Sequence, residues 1–230
     1  IGSLSGAGTL GLLIPPSIIM IVYGVQAEVS VAKLFAAGIV PGVMLALLFM
    51  GYIAVWALLN PGRIPPRDPS TSIGTKLRAS GSLIPVVLLI LVVLGSIYAG
   101  IATATESAAF GVLGSFAIAA AQRRLNLDTF WQSVMGATRL TAMILLILAG
   151  ASFLKLAMGF TGLPRHLAET IAAMQLTPAM LILVLAILYI ILGCFLDGIS
   201  MVVLTTSIIQ PLVIQAGIDV VWYGIFIVLV

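Results

Sequence analysis

Charged residues are scarce in this sequence. Lysine, arginine, aspartate and glutamate make up 7% of its 230 residues, whereas a soluble domain contains about 25%. So few charges cannot cover the surface of a folded globule of this size, and a soluble enzyme is therefore excluded. Hydrophobic residues reach 62% and occur in long runs, and apolar runs of about 20 residues are typical of membrane-spanning helices. The composition predicts an all-α polytopic membrane protein.

Residues that bind metals or catalyse reactions are also few. Cys194 is the only cysteine and His166 the only histidine, which excludes a disulfide framework and a multi-histidine metal site. The phosphate-binding pattern Gly-x-x-x-x-Gly-Lys-Ser/Thr is absent, so the chain does not hydrolyse ATP by that route. The net charge of +3 is small and scattered, which argues against a nucleic-acid partner. We expect no enzyme activity and no cofactor.

The apolar runs predict the order of the membrane segments. The first run, 8–25, is interrupted in its middle by Pro15, Pro16 and Ser17. Plain spans and their connections follow in the order 34–59 (span), 60–82 (polar loop), 83–99 (span), 104–121 (span), 122–139 (amphipathic connector) and 140–158 (span). Because the chain starts at Ile1 and ends within an apolar run, we interpret it as an internal segment of a longer protein.

The last complete apolar unit, 177–213, is too long for one span. A helix of about 37 residues would measure about 55 Å, against about 30 Å for the hydrocarbon core. Its polar centre, 193–200, therefore predicts a break. Two spans that meet at a loop would satisfy the length, and so would a re-entrant hairpin with Asp197 to Ser200 at its tip. Residues 216–230 then begin another span.

Positive charge predicts the orientation of the chain. With 60–82 and 122–139 in the cytoplasm, seven cations lie inside and three outside, in agreement with the positive-inside rule. The inner cations are Arg63, Arg67, Lys76, Arg78, Arg123, Arg124 and Arg139, and the outer ones are Lys33, Lys155 and Arg165.

The two interruptions are the candidate binding sites. A broken helix exposes carbonyl oxygens and a positive N-terminal end within the membrane. At the second break, the carboxylate of Asp197 and the hydroxyl groups of Ser200 and Thr205 suit a hard cation such as Na⁺. Alternatively, Asp197 only caps the following helix. The Pro15-Pro16-Ser17 break is either a second binding site or a structural kink.

Glu106 is the other ionisable residue that falls inside an apolar region. It stands three positions after Thr103 at the start of a span. This spacing is typical of a capping box, in which the two side chains satisfy backbone groups at the start of the helix. We therefore expect Thr103 and Glu106 to have a structural role.

Four blocks of the sequence together resemble the large membrane subunit of TRAP (tripartite ATP-independent periplasmic) transporters. They are GTLGLLIPPSIIMIVYG at 8–24, YAGIATATESAA at 98–109, LDGISM at 196–201 and GIDVVWYG at 217–224. Their order and spacing fit that family over nearly the whole chain. Ala104 and Ser207 depart from it, because the family often has proline at these two positions.

The resemblance implies a bacterial inner-membrane permease of the elevator type, with inverted repeats, broken helices and a re-entrant hairpin. Members of the family use a sodium gradient to import organic acids, such as C4-dicarboxylates and sugar acids. A periplasmic binding protein delivers the substrate, and a small membrane subunit completes the complex. We therefore expect Na⁺ as the coupling ion and no other cofactor.

The resemblance also implies a division of the chain into moving and static parts. Residues 1–25 form the broken helix of the first repeat, and 140–230 form a transport-domain span, the outward-opening hairpin and the start of the next helix. Residues 26–82 (span and cytoplasmic loop) and 83–139 (two spans and connector) form the scaffold. The expected substrate- and ion-binding residues are Pro15, Pro16, Ser17, Asp197, Gly198, Ser200, Met201 and Thr205, with Na⁺ near Ser17 and near Asp197 and Ser200.

Two other functions are compatible with the residues alone. A stand-alone carrier with broken helices would couple transport to ions without a binding protein. A membrane scaffold subunit would not transport at all, and polar substitutions at both breaks would then be neutral.

Overall fold

The computed structural model describes Gly8, residues 10–63, Gly74, residues 80–162, His166, Glu169 and residues 177–230. These ranges are helical and contain no strand, which confirms the prediction of an all-α protein. Their longer helices are α1 (Ile18–Gln26), α2 (Val31–Leu59), α3 (Ile84–Tyr98), α4 (Ala104–Ala121), α5 (Leu127–Thr161), α6 (Pro178–Gly193), α7 (Gly198–Gln215) and α8 (Val220–Leu229). Short 3₁₀ turns lie at Pro61–Arg63 and Gly81–Leu83.

Four of these helices are long and apolar enough to cross a membrane: α2, α4, α5 and α7. Helices α3, α6 and α8 are also apolar but shorter. Large apolar side chains on several of them face outward, for example Leu58 (81% exposed) and Phe160 (86% exposed). An apolar outer surface of this extent suits lipid or other membrane helices rather than water. The cations expected at Arg67, Lys76, Arg78 and Arg165 lie outside the described residues.

The chain forms two compact units. The first takes its residues from Ile1–Leu10 and Val43–Trp131, and the second from Gly11–Gly42 and Gln132–Val230. Helices α2 and α5 contribute residues to both units. In the sequence-based prediction, residues 1–25 and 140–230 form a moving part and residues 26–139 form a static part. This assignment concerns motion and stays a prediction.

The first unit is organised by the close pairing of α3 and α4. The chain turns between them through Gly100, whose φ of +68° favours glycine. The Oγ atoms of Ser96 and Ser107 lie 2.8 Å apart across this pair, and Ser107 is fully buried. A Cβ on Gly111 would lie 3.4 Å from Val93, so the small residues of α4 let the two helices approach closely.

The second unit has its core where α1, α6, α7 and α8 meet. Three tyrosines from three of these helices, Tyr23, Tyr189 and Tyr223, are among its largest fully buried side chains. Helix α5 packs on the same unit through Ala151, which contacts a small cluster with Val22 of α1 and Val203 of α7. The core is therefore built around the helices that follow the two predicted breaks.

Helix α5 differs from the sequence prediction in one respect. It runs without interruption from Leu127 to Thr161, so most of the expected connector 122–139 is continuous with the expected span 140–158. The side chain of Asn126 accepts a hydrogen bond from the backbone N–H of Thr129 at 2.7 Å at its start. The sequence has no proline between Asn126 and Thr161 that would interrupt the helix. Its 35 residues span about 52 Å, so α5 extends beyond the hydrocarbon core.

Candidate functional site

The first break lies at residues 14–17, between a short helical stretch at 10–13 and helix α1. Ser17 joins the two halves. Its hydroxyl donates a hydrogen bond to the carbonyl oxygen of Leu12 and accepts one from the backbone N–H of Met20 at 3.3 Å. Since prolines 15 and 16 provide no N–H, the serine satisfies both a freed carbonyl and the start of the new helix. Ser17 is fully buried.

Two glycines on α2 pack directly against this break. A Cβ on Gly38 would lie 3.1 Å from the carbonyl oxygen of Leu13 and 3.3 Å from the sulfur of Met20. A Cβ on Gly42, one turn further along, would lie 2.9 Å from Cγ1 of Ile14. Small residues four positions apart allow two membrane helices to approach closely. The N-terminal part of α2, predicted as scaffold, thus holds the broken segment in place within the second unit.

The second break separates α6 from α7. Helix α6 begins at Pro178, capped by Thr177, and ends at Gly193. Helix α7 begins at Gly198, where Oδ2 of Asp197 accepts hydrogen bonds from the backbone N–H groups of Ile199 and Ser200, each at 3.1 Å. The two helices have 16 and 18 residues and measure about 24 and 27 Å. Asp197 is therefore a helix cap, and the re-entrant hairpin stays a prediction.

The structure brings the helices that follow the two breaks together. A Cβ on Gly198 would lie 2.8 Å from Cδ1 of Ile19, so the first turns of α1 and α7 are in contact. At the other end of α1, Nε2 of Gln26 donates a hydrogen bond to Oγ of Ser207 at 2.7 Å, and Nε2 of Gln210 donates one to the carbonyl oxygen of Ala27 at 3.1 Å. Helices α1 and α7 therefore run parallel and start at the same end of the unit.

This arrangement places two positive helix ends side by side. The N-terminus of an α-helix carries a partial positive charge and unpaired N–H groups. Both ends are capped, one by the neutral hydroxyl of Ser17 and one by the carboxylate of Asp197. A site between them offers N–H groups to an anion, and hydroxyl, carbonyl and carboxylate oxygens to a cation.

The predicted site residues differ in their surroundings. Pro15, Ser17 and Met201 are buried, Gly198 and Ser200 are half-buried, and Pro16 and Asp197 are exposed. Thr205 lies eight positions after Asp197 in the sequence, which is about 12 Å along a helix. Its hydroxyl is buried and donates a hydrogen bond to the carbonyl oxygen of Met201 at 2.7 Å.

A buried chain of hydroxyl groups, not predicted from the sequence, joins three helices of the site. Tyr189 of α6 donates a hydrogen bond to Oγ1 of Thr205 at 3.0 Å, and its hydroxyl oxygen lies 2.5 Å from that of Tyr223 on α8. Tyr23 of α1 donates to the carbonyl oxygen of Val220 at 2.6 Å. These bonds tie both arms of the second break to α1 and α8. The sequence feature that could have indicated this chain is a tyrosine within an otherwise apolar run. A buried tyrosine hydroxyl needs a hydrogen-bond partner inside the membrane.

The Thr103 and Glu106 side chains form a capping box at the start of α4, in the first unit. Oγ1 of Thr103 accepts a hydrogen bond from the backbone N–H of Glu106 at 3.3 Å. The Glu106 carboxylate accepts hydrogen bonds from the backbone N–H and the hydroxyl of Thr103, both at 2.8 Å. The geometry gives both residues a structural part in starting the helix.

We expect Thr103→Ala to destabilise the protein without impairing transport by the folded fraction. Loss of a threonine cap costs about 1 kcal/mol of the free energy of unfolding. Thermal unfolding of the purified full-length protein measures this loss, and uptake per folded molecule measures transport. Thr103→Ser keeps the hydroxyl and should match the wild type. Normal stability combined with lost uptake would instead assign Thr103 to the transport site.

Within the residues that the structure describes, no group of three or more histidine, cysteine, aspartate or glutamate side chains could hold a metal ion. A cation at the breaks would depend on Asp197 together with hydroxyl and backbone oxygens. Interrupted apolar helices that meet at polar residues are the way in which many secondary transporters build their sites. The fold and the two breaks define the chain as a helical membrane protein of the transporter class.

Comparison with known proteins identifies the family. Residues 1–230 match the family described as "Tripartite ATP-independent periplasmic transporter, DctM component". The chain is 32% identical over 228 residues to the C4-dicarboxylate TRAP transporter large permease protein DctM of Pseudomonas aeruginosa, a match that covers 99% of this chain and 53% of that protein. The chain belongs to the DctM component family of TRAP transporters, as its sequence motifs predicted.

Other relatives are named for different substrates. The isethionate TRAP transporter permease protein DctMQ of Oleidesulfovibrio alaskensis is 31% identical over 232 residues, which cover 97% of this chain and 35% of that protein. The ectoine/5-hydroxyectoine TRAP transporter large permease protein UehC of Ruegeria pomeroyi is 28% identical over 225 residues, which cover 97% of this chain and 52% of that protein. The chain spans about half the length of most of these relatives. These relatives are named as permease proteins of bacterial transporters. Family membership together with its long apolar helices makes this chain a bacterial membrane protein.

Proposed function

We propose that the chain is the core of a TRAP large permease subunit that imports an organic acid by coupling to sodium. The observation that supports this proposal is the parallel pair of helices that follow the two breaks in one compact unit. Helices α1 and α7 begin side by side, after Ser17 and Asp197. Such a pair supplies both the oxygen ligands for a cation and the positive helix ends for an anion.

In this proposal, the two breaks share the work of binding. Na⁺ binds near Ser17 and near Asp197 and Ser200, where carbonyl, hydroxyl and carboxylate oxygens are the ligands that hard cations prefer. The carboxylate of a C4-dicarboxylate, a sugar acid or a similar substrate binds at the helix N-termini. The backbone around Pro15, Pro16, Gly198 and Met201 and the hydroxyl of Thr205 complete the lining.

The proposal extends to the complex and to its motion. A small membrane subunit and a periplasmic binding protein complete the transporter in the bacterial inner membrane. Residues 1–25 and 140–230 move as the transport part of an elevator with inverted repeats, and residues 26–139 belong to the static part. The relatives are named for different substrates, all of them organic compounds of low molecular mass. These names support a substrate of that kind without selecting one.

Uptake into liposomes tests the proposal. The full-length protein and its small subunit are reconstituted, and labelled C4-dicarboxylates, sugar acids and sulfonates are supplied with and without an inward sodium gradient and the cognate binding protein. We expect rapid uptake of one substrate class only when both the gradient and the binding protein are present. The two breaks would bind ion and substrate together, and the binding protein would deliver the substrate.

Other outcomes would contradict the proposal in distinct ways. Uptake that does not depend on the binding protein would indicate a stand-alone carrier. Uptake with the binding protein but without sodium would refute sodium coupling. Binding-protein docking without uptake of any compound, by a protein with intact thermal unfolding, would indicate a scaffold subunit.

A further inference from the structure

A cleft with both polar and apolar walls lies in the second unit, at the end of α1 that is remote from the breaks. It has a volume of about 440 Å³ and is formed by the turn after α1, by α5 and by α7. The polar side chains in its lining are those of Glu28, Lys155, Ser207, Gln210 and Gln215. We call it the Lys155 cleft. Small-molecule sites in proteins have volumes of about 300–1,000 Å³, so this cleft is large enough for a small organic acid.

The donors in the cleft outnumber its anionic acceptors. Lys155 supplies an ammonium group, Gln210 and Gln215 supply amide N–H groups, and Ser207 supplies a hydroxyl. Glu28 is the one carboxylate among the lining residues. Pro211 and Ile214 add an apolar wall beside these groups. This combination suits a ligand with a carboxylate at one end and a short carbon skeleton.

Lys155 is only loosely engaged with Glu28. Its Nζ atom lies 3.9 Å from Oε1 of Glu28, and the two side chains are 50% and 85% exposed. Charge-assisted hydrogen bonds measure about 2.7–2.9 Å, and exposed ion pairs contribute little to stability. The ammonium group can therefore exchange the Glu28 carboxylate for the carboxylate of a ligand.

The backbone around Glu28 is held in an unusual conformation. Glu28 has a φ of 58° in the turn that ends α1, a position where glycine is favoured. The backbone N–H of Val29 donates a hydrogen bond to the carbonyl oxygen of Gly24 at 2.9 Å, which fixes this turn. Non-glycine residues held in this region tend to occur at functional sites. A carboxylate here is placed at the rim of the cleft by the backbone rather than by its own contacts.

The floor of the cleft is ordered by hydrogen bonds between α1 and α7. Gln26 is buried and donates to Ser207, and Gln210 donates to the carbonyl oxygen of Ala27. A ligand would therefore meet a preformed polar surface, which lowers the cost of binding. Nine residues of α1, about 13 Å of helix, separate this floor from the break at Ser17.

We propose that the Lys155 cleft is a second, outer binding site for small organic carboxylates, with Lys155 as the charged ligand and Glu28 as a competing internal anion. In the orientation that the positive charges predict, this end of the unit faces outward. The cleft then holds the organic acid before it reaches the breaks. This inference rests on the proposed function for its class of ligand.

Substitutions at the two charged residues should change affinity in opposite directions. Glu28→Gln removes the internal competitor and should strengthen carboxylate binding, whereas Lys155→Gln removes the cation and should weaken it. We expect changes of about threefold to fivefold each way, the size expected for an exposed ion pair. If the pair only fastens the end of α1 to α5, both substitutions should act in the same direction.

Saturation-transfer NMR with succinate as the probe measures these affinities in the full-length protein with its small subunit in detergent. Lys33→Gln is the matched control, because Lys33 is exposed in the same unit and does not line the cleft. Lys155→Arg keeps the charge and should retain wild-type affinity. If Lys155→Gln does not fold, the gain expected for Glu28→Gln decides the question.

Three outcomes would overturn the proposal. These are no saturable succinate signal in the wild type and Glu28→Gln, equal changes of the same sign in both variants, and a change in Lys33→Gln as large as that in Lys155→Gln. The readout is binding rather than uptake. Absence of sodium-driven uptake would therefore refute the proposed function while opposite shifts in affinity would still support the cleft.

Discussion

Asp197→Asn should strongly reduce sodium-driven uptake while leaving the protein folded. Asparagine caps helices as well as aspartate does, so it can accept the same hydrogen bonds from Ile199 and Ser200. Only the charge is lost. Interactions with a charged group contribute about 1.5–3 kcal/mol, which corresponds to roughly tenfold to 150-fold in ion affinity. Uptake in proteoliposomes at a fixed sodium gradient, together with thermal unfolding, measures both effects.

A second capping aspartate in the same unit provides the matched control. Asp219 caps α8 and accepts a hydrogen bond from the backbone N–H of Trp222 at 2.8 Å. Asp219→Asn removes the same charge from the same kind of position and should leave uptake near the wild-type rate. Asp197→Ala should lose both uptake and stability. Normal uptake by Asp197→Asn at every sodium concentration would reduce Asp197 to a helix cap.

The positions of the two breaks could be predicted from the sequence because local chemistry determines them. Two consecutive prolines leave carbonyl oxygens without partners, and Ser17 is the first residue able to satisfy one. Asp197 before Gly198 is a helix-start signal of the same local kind. The capping box of Thr103 and Glu106 depends on residues three positions apart, so it too is visible in the sequence.

The assembly of these pieces could not be predicted in the same way. Gly198 contacts Ile19, and Gln26 donates a hydrogen bond to Ser207, although the residues of each pair are about 180 positions apart. No local pattern in the sequence specifies such a pairing. Tyr189 lies in a run whose apolar residues surround it on all sides of the helix. Such a run has no face that indicates which neighbour it meets. The partners of the buried hydroxyls became visible only once α6, α7 and α8 were placed together.

The predicted connector 122–139, most of which belongs to α5, shows the limit of polarity as a boundary signal. Polar residues between 122 and 139 predicted a separate amphipathic segment. A helix ends when its backbone is interrupted, and polar side chains on a helix outside the hydrocarbon core interrupt nothing. The absence of proline between Asn126 and Thr161 therefore predicts the continuous helix better than the change in composition does.

Gly224→Ala should destabilise the second unit by overpacking its core. A Cβ at this position on α8 would lie 2.6 Å and 2.9 Å from Cδ1 and Cζ of Tyr23, and closer still to Cε1. The ring cannot move aside, because it is fully buried and its hydroxyl donates a hydrogen bond to the carbonyl oxygen of Val220. Its edge also packs on Tyr223, with ring centroids 6.3 Å apart. Overpacking of this kind costs about 1–3 kcal/mol of the free energy of unfolding.

The opposing effect of alanine on the helix is smaller and can be measured separately. Alanine favours a helix over glycine by about 1 kcal/mol, so the clash must exceed that gain before the protein is destabilised. Gly150→Ala is the control, since a Cβ there meets no described atom within 4 Å and α5 gains only the propensity. Thermal unfolding of the full-length protein should show a lower midpoint for Gly224→Ala and an equal or higher one for Gly150→Ala. A midpoint for Gly224→Ala as high as that for Gly150→Ala would mean that Tyr23 does not resist a Cβ on α8.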